Sequence, residues 1–458
     1  MTQTVAETLA ESVCALSPDA IPNLVQERCH DLLVDVAGLC IAARHKNYIN
    51  ALKKSIDAGG PCTALGHAGG YRPEDAALLN GTAAHGEDFD DTFEGGPVHS
   101  GAVVVPAVLA ACERHEGECS GHSALLGIAT GVEAMCRLSL VAPKRIHKAG
   151  FHPTAVLGAM ASTLAVSVVL KLDRNQIVNA LGIAGSMAGG IIEYLAEGAW
   201  TKRLHAGWAA HCGLHAARIA REGFTGPRTV LEGTHGFFFA FSRDDKAEYE
   251  KLTSSFGKEW LMTGLTFKPY ATGTMNQPYI DCALRLRERG RSFSFRAEDV
   301  AEVQCDTAEG YVHRLWEPLA GKQRPPNGYA AKFSTPFNIA VAFVTGDAGF
   351  EAFSERTVGD ERILALASKV RYRIDPENPY PLRYTGHVRM TLNDGRVFEE
   401  RQPHIRGGVH EPLAPGELER KFRGNAAYGG WPPAQADTFL AFAKEAFNGP
   451  MDLSAFRR

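Results

Sequence analysis

The chain has no C-x-x-C pair, no H-E-x-x-H helix, no glycine-rich phosphate loop, no nucleophile elbow and no excess of basic charge. Each absence removes a class of protein. The 10 cysteines occur singly, and Cys40, Cys112, Cys136 and Cys212 fall in apolar, helical surroundings. Isolated buried thiols suit a reducing compartment better than a disulfide framework, and no zinc-finger spacing is present. Lysine and arginine total 48 against 52 aspartates and glutamates, a formal net charge of -4. Without a basic stripe, nucleic-acid binding is disfavoured, whereas a small anion needs only a local basic pocket. The longest apolar run, 155–170, is short for a bilayer span and contains Ser162, Thr163 and Ser167, so it reads as a buried helix. The opening MTQTVAETLAESV has no basic region followed by an apolar core, so a cytoplasmic location is expected. No strand leads into Gly189-Gly190, as a dinucleotide-binding turn requires.

What is present is length and helical periodicity. A chain of 458 residues exceeds one ordinary core, so two or three domains are expected. Val5, Leu9 and Val13, then Ile21, Val25, Cys29, Leu32 and Val36, recur at helical spacing on either side of Ser17-Pro18-Asp19, which predicts two amphipathic helices. Further helices are expected over 47–57, 102–114, 120–140, 153–169 and 173–186, many of them rich in alanine and glycine, which lets helices approach closely. The pattern changes near Phe267: a helix over about 275–288, the strand-like VAEVQCDT, helices over 334–344 and 360–367, then VRYRI. HVRMTL and RVFEER follow, joined by Asn393-Asp394-Gly395, a hairpin signal. The chain is thus expected to be mainly α, with a large all-α domain over 1–266, completed by the helical 405–458, and a smaller α+β domain over 267–404.

Four stretches carry reactive side chains that packing alone does not require. Asn80 to Val105 places Asp88, Asp90 and Asp91 with His85, Thr92 and His99 in a glycine-broken segment between apolar helices. Taken singly, each aspartate is explained as a cap or turn residue. His152 directly precedes Pro153, a residue suited to the first turn of a helix, and so stands at a helix N-terminus, where anions are favoured. Lys202 and Arg203 fall at the start of a long helix that also bears His205, His211 and His215. Cations there oppose the helix dipole unless an anion is bound. Phe267 to Gln277 brings Lys268 and Tyr270 to the junction of the two expected domains, a favoured ligand position. Cations, hydrogen-bonding groups and acid/base residues together suit a small di- or tricarboxylate, whose carbanion-like centre the cations stabilise while a histidine or aspartate moves the proton.

The run HGEDFDDT with His99-Ser100-Gly101, then GFHPTAVLG, WTKRLHAGWAAHCGLHAARIAREGFTGP and FKPYATGTM, resembles the MmgE/PrpD family along nearly the whole chain. That family includes 2-methylcitrate dehydratase, cis-aconitate decarboxylase and iminodisuccinate epimerase. The resemblance implies a helical domain with an α+β lid domain, a homodimer, a small-molecule di- or tricarboxylate substrate, and chemistry with no cofactor and no metal. By motif it implies Asp88, Thr92, His99, His152, Lys202 and Lys268 as active-site residues; together with the stretches above, Asp88, His99, His152 and Lys202 are expected to be catalytic, and Thr92, Arg203, His205, Lys268 and Tyr270 substrate-binding. Phe337 in AKFSTPFNIA stands where the decarboxylases carry a tyrosine, and the loop from Thr92 to His99 is one residue longer. The expected activity is a lyase, with dehydration ahead of decarboxylation and epimerisation. The readings from other classes are a Mg²⁺-dependent hydrolase built on Asp88, Asp90 and Asp91, and a helical scaffold.

Overall fold

The computed structural model describes residues 2–114, 119–243 and 246–457. The chain is mainly helical and divides into two units. The larger comprises residues 1–86, 90–265 and 416–458, and the smaller 87–89 and 266–415. The C-terminal helices Glu417–Tyr428 and Pro433–Glu445 therefore belong to the large unit, and Glu87-Asp88-Phe89 leaves it for three residues.

In the large unit the expected helices form at Val5–Cys14, Asn23–Ala43, Asn47–Lys54, Gly101–Arg114, Gly121–Val141, Pro153–Val169 and Arg174–Met187. Their ends follow local chemistry. Thr4, Ser120 and Asp173 cap their helices in capping boxes, each satisfying backbone N–H groups that have no intrahelical acceptor. Gly121–Val141 is long and apolar enough to cross a membrane by length and composition, yet 89% of that window is buried inside the protein. It is a core helix.

The helix Thr201–Arg221 packs against Pro153–Val169 and Pro73–His85, and small residues set how near they come. A Cβ on Gly207 would overlap the Leu78 carbonyl and the Thr82 side chain, while one on Gly81 would lie 2.7 Å from the Gly207 Cα. Ser162 bridges the other contact, its hydroxyl donating to the Ala209 carbonyl at 2.8 Å. Pro73–His85 ends at His85, Pro153–Val169 begins after His152, and Thr201–Arg221 carries Lys202 and His205 in its first turns. Close helix crossing thus brings these imidazoles within reach of each other.

The small unit is α+β. Its strands β1 (Val300–Thr307), β2 (Val370–Ile374), β3 (Gly386–Leu392) and β4 (Val397–Gln402) lie in the order β2-β1-β3-β4. β1 runs parallel to β2 and antiparallel to β3, with Val303 opposite Met390 and Cys305 opposite Val388. All four of those side chains are buried, so alternate residues of each strand form the sheet's apolar face. The helix Gln277–Phe293 packs on β3 and β4, and Thr335–Thr345 packs on that helix.

Candidate active site

In the large unit four imidazoles lie together. The His85 ring is 5.0 Å from that of His99 and 5.6 Å, stacked, from that of His152, and the His152 ring is 5.3 Å from that of His205. All four are buried. His152 stands just before the helix Pro153–Val169, its backbone N–H donating to the Gly190 carbonyl at 2.9 Å. Its Nδ1 is 3.1 Å from Nδ1 of His205. One of these two nitrogens donates and the other accepts. His99 is fixed twice: its backbone N–H donates to the Thr154 hydroxyl at 3.3 Å and its Nδ1 lies 2.6 Å from the Asp91 carbonyl. That carbonyl can only accept, so Nδ1 of His99 carries the proton and Nε2 is its remaining functional atom.

Burial holds two of these rings in the neutral form. The His152 pKa is pushed well below the usual imidazole range by desolvation first, with His85, Lys202, His205 and His99 disfavouring a further positive charge behind it. Desolvation, with His85 and Lys202 behind it, brings His205 down to about 4. Near neutral pH both are therefore uncharged and able to accept a proton. Lys202 and Arg203 are themselves buried at the start of Thr201–Arg221, where no side chain caps the helix. The Arg203 guanidinium lies over the Tyr48 ring at 4.3 Å, a cation–π contact. Thr92 is buried, and its hydroxyl meets no hydrogen-bond partner among the described residues.

The acidic run does not assemble into one carboxylate cluster. The Asp90 Oδ2 accepts from His85 Nδ1 at 2.7 Å, and its Oδ1 is 3.6 Å from His99 Nδ1. Asp91 accepts from Ser100 N–H at 3.1 Å, Ser100 Oγ at 2.9 Å and Gly101 N–H at 2.9 Å, so it satisfies the first N–H groups of the helix Gly101–Arg114. Burial and the Asp90 charge raise its pKa to about 7 in spite of these bonds. His85, Asp90 and His99 each present one metal-ligating atom within 4.8 Å of the others. A metal bound through the two Nδ1 atoms would have to displace the proton that His85 gives Asp90 and the one that His99 gives the Asp91 carbonyl.

Asp88, Lys268 and Tyr270 belong to the small unit. Lys268 is fully buried and donates from Nζ to the Asp88 carbonyl at 3.0 Å. Asp88 has φ +55, a left-handed conformation that aspartate tolerates better than most residues. Lys332, also buried, donates to the Glu87 and Ala271 carbonyls at 2.9 Å each and lies 3.3 Å from Glu87 Oε2. The ring of Phe89 is 5.6 Å from that of Phe350. Tyr270 spends its hydroxyl within a triad, donating to Asp281 Oδ1 at 2.6 Å and accepting from Arg406 Nη2 at 2.9 Å.

The structure thus gathers His99, His152 and His205 in the large unit, where Thr92, Lys202 and Arg203 also lie, and pairs Asp88 with Lys268 in the small one. Sequence reasoning gave Lys332 and Glu87 no part and counted His85 in the acidic segment without assigning it one. A histidine five residues before an aspartate, as His85 and Asp90 are, was the available signal for the last. Lys332 is a lone cation before a capping serine, and nothing in the surrounding AKFSTPF marks it.

The fold and the site define a class: a mainly helical enzyme with a buried imidazole cluster next to cations. The chain belongs to the MmgE/PrpD family, matching its N-terminal domain over residues 7–250 and its C-terminal domain over 270–441. It is similar to the cis-aconitate decarboxylase-like protein oryM of Aspergillus oryzae, 26% identical over 92% of this chain and 90% of the relative. Human cis-aconitate decarboxylase is 27% identical over 93% and 89%. The 2-methylcitrate dehydratase of Cupriavidus necator is 25% identical over 62% and 60%.

Proposed function

We propose that this protein is a cofactor-independent lyase that removes water from a small hydroxylated di- or tricarboxylate. The observation that carries this reading is the buried cluster of His85, His99, His152 and His205, in which His152 and His205 are held neutral and sense the Lys202 charge. A neutral imidazole takes the proton from the carbon beside a carboxylate, and the electron pair left on carbon forms the double bond as the neighbouring C–O bond breaks. The imidazolium so formed gives that proton to the departing hydroxide, directly or through the His152–His205 hydrogen bond, so both rings return to the neutral form and the net loss is one water. Lys202 and Arg203 stabilise the carboxylate on which negative charge builds. Lys268 acts through the backbone of Asp88, whose carbonyl it holds.

Decarboxylation is the second reading. It is supported by the extent of similarity: the decarboxylases match along about nine-tenths of the chain and the C. necator dehydratase along 62%. Phe337, fully buried beside Phe353, offers no hydroxyl where the resemblance to decarboxylases leads one to expect a tyrosine, and this favours dehydration. Incubation with citrate, 2-methylcitrate, cis-aconitate and iminodisuccinate, followed by NMR and mass analysis, separates the outcomes. Loss of water supports the proposal, loss of CO₂ supports the second reading, and deuterium uptake from solvent without loss of either indicates epimerisation. Turnover of none of these acids would refute both lyase readings.

We further propose a homodimer. Ile191, Leu195, Trp200, Trp208 and Phe239 are large apolar side chains exposed on the large unit, more than isolated surface residues require. Light scattering on the purified chain checks it, and a monomer at micromolar concentration would refute it.

A further inference from the structure

His85 is only 1% exposed, and its two ring nitrogens differ. Nδ1 gives its proton to Asp90 at 2.7 Å, whereas Nε2 is buried and meets no hydrogen-bond partner among the described residues. A carboxylate on Nδ1 fixes the tautomer of a neutral imidazole, leaving the Nε2 lone pair as an acceptor. Buried acceptors are rarely left unsatisfied unless a ligand or water completes them. The His85 ring adjoins those of His99 and His152, so this acceptor belongs to the imidazole cluster. The Thr92 hydroxyl, seven residues on, is a second buried polar group without a partner among the described residues. Two such groups on one short segment indicate a ligand that brings its own donors.

We propose that His85, oriented by Asp90, is a specificity-determining residue of the site whose Nε2 accepts a hydrogen bond from a hydroxyl of the bound acid. The inference rests on the lyase reading above and assigns Asp90 as a positioning residue rather than a metal ligand. A site built to accept from a substrate hydroxyl rejects the analogue that lacks it, because its own buried group is then stranded.

The test compares acids that differ by one hydroxyl, citrate against tricarballylate and malate against succinate, by calorimetry on the full chain. The hydroxylated member of at least one pair should bind about tenfold or more tightly, about 1.4 kcal/mol. In Asp90→Asn the side chain offers amide hydrogens as well as an oxygen to His85 Nδ1. The acceptor at Nε2 is then no longer enforced, as wrong-tautomer substitutions behind catalytic histidines show, and the preference should shrink to about twofold. In the wild type, the His85 Nε2 nitrogen resonance should move on adding citrate and stay in place with tricarballylate, a readout that does not depend on a variant folding. Equal binding within both pairs, or an unchanged preference in both Asp90→Asn and His85→Phe, would overturn the role of His85 and leave the lyase reading standing. Binding of none of the four acids, together with no turnover of any acid named above, would overturn both.

Discussion

The ammonium of Lys332 lies 3.3 Å from Glu87 Oε2 and donates to the Glu87 carbonyl at 2.9 Å, with both side chains buried. One cation thus holds both the charge and the backbone of a residue 245 positions earlier. Removing one partner of a buried pair strands the other, at a cost of about 3–5 kcal/mol. Lys332→Met should lower the thermal midpoint of the full chain markedly, and adding Glu87→Gln should restore part of the loss. A double variant no better than Lys332→Met alone would show that the pair is not coupled.

Lys202 and His152 carry the chemical proposal. Lys202→Ala and His152→Ala are each expected to reduce turnover by about 10²-fold or more on the acid that the substrate screen identifies. Far-ultraviolet circular dichroism should remain that of the wild type. Full activity in both variants would remove the imidazole cluster from the mechanism.

Acid stability should divide between two groups of opposite sign. The folded-state pKa of His205, about 4, lies below its unfolded value of 6.5, so the unfolded state binds the extra proton. Its contribution is complete above pH 6.5 and is lost as pH falls towards 4, with an upper bound of about 3 kcal/mol. Asp91 works the other way: its folded-state pKa of about 7 exceeds the ordinary aspartate value of 3.8. Its contribution is present below pH 3.8 and is lost as pH rises through 7. Urea titrations from pH 4 to 8 should show a shallower acid-side loss in His205→Gln and a shallower loss from pH 4 to 7 in Asp91→Asn. Curves parallel to the wild type would contradict both assignments.

Gly207→Ala tests the helix crossing beneath the site. The added methyl would collide with the backbone carbonyl of Leu78 and with the Thr82 side chain, and overpacking of this kind costs about 1–3 kcal/mol. Alanine otherwise favours a helix by about 1 kcal/mol over glycine, so a lowered midpoint in this variant reports the contact itself. A raised midpoint would mean that the helices separate without cost.

Much of the fold was legible because it is written locally. Pro153 opens its helix as expected, and the Asn393-Asp394-Gly395 turn joins β3 to β4, with Gly395 at φ +87. The helix expected over 275–288 instead spans Gln277–Phe293. Its first residues wind as a 3-10 turn at Thr274–Asn276, and the arginine-rich RLRERGRSF that reads as surface is helical, arginine and glutamate being good helix formers. The glycine-rich segment from Gly59 to Gly70 is closed by a single bridge between Cys62 and Tyr71. For the site, motifs pointed to His99, His152 and Lys202, and the fold sets the first two of these against His85. What Glu87 and Asp88 touch was not, because the lysines that hold them lie 245 and 180 residues away in sequence. Local patterns carry no information about such partners.

The three-residue excursion at Glu87-Asp88-Phe89 bears on how this protein can be taken apart. A chain of residues 1–265 joined to 416–458 would present a glutamate whose ammonium partner had been cut away. A fragment of residues 266–415 would keep Lys332 on the Ala271 carbonyl but would lack the Glu87 and Asp88 carbonyls that Lys332 and Lys268 hold. Domain exchange between relatives therefore has to move residues 87–89 together with 266–415 as a single cassette. A hybrid joined only at 265/266 and 415/416 would pair one parent's tripeptide with the other parent's lysines, and its expression level would report how well the two parents match.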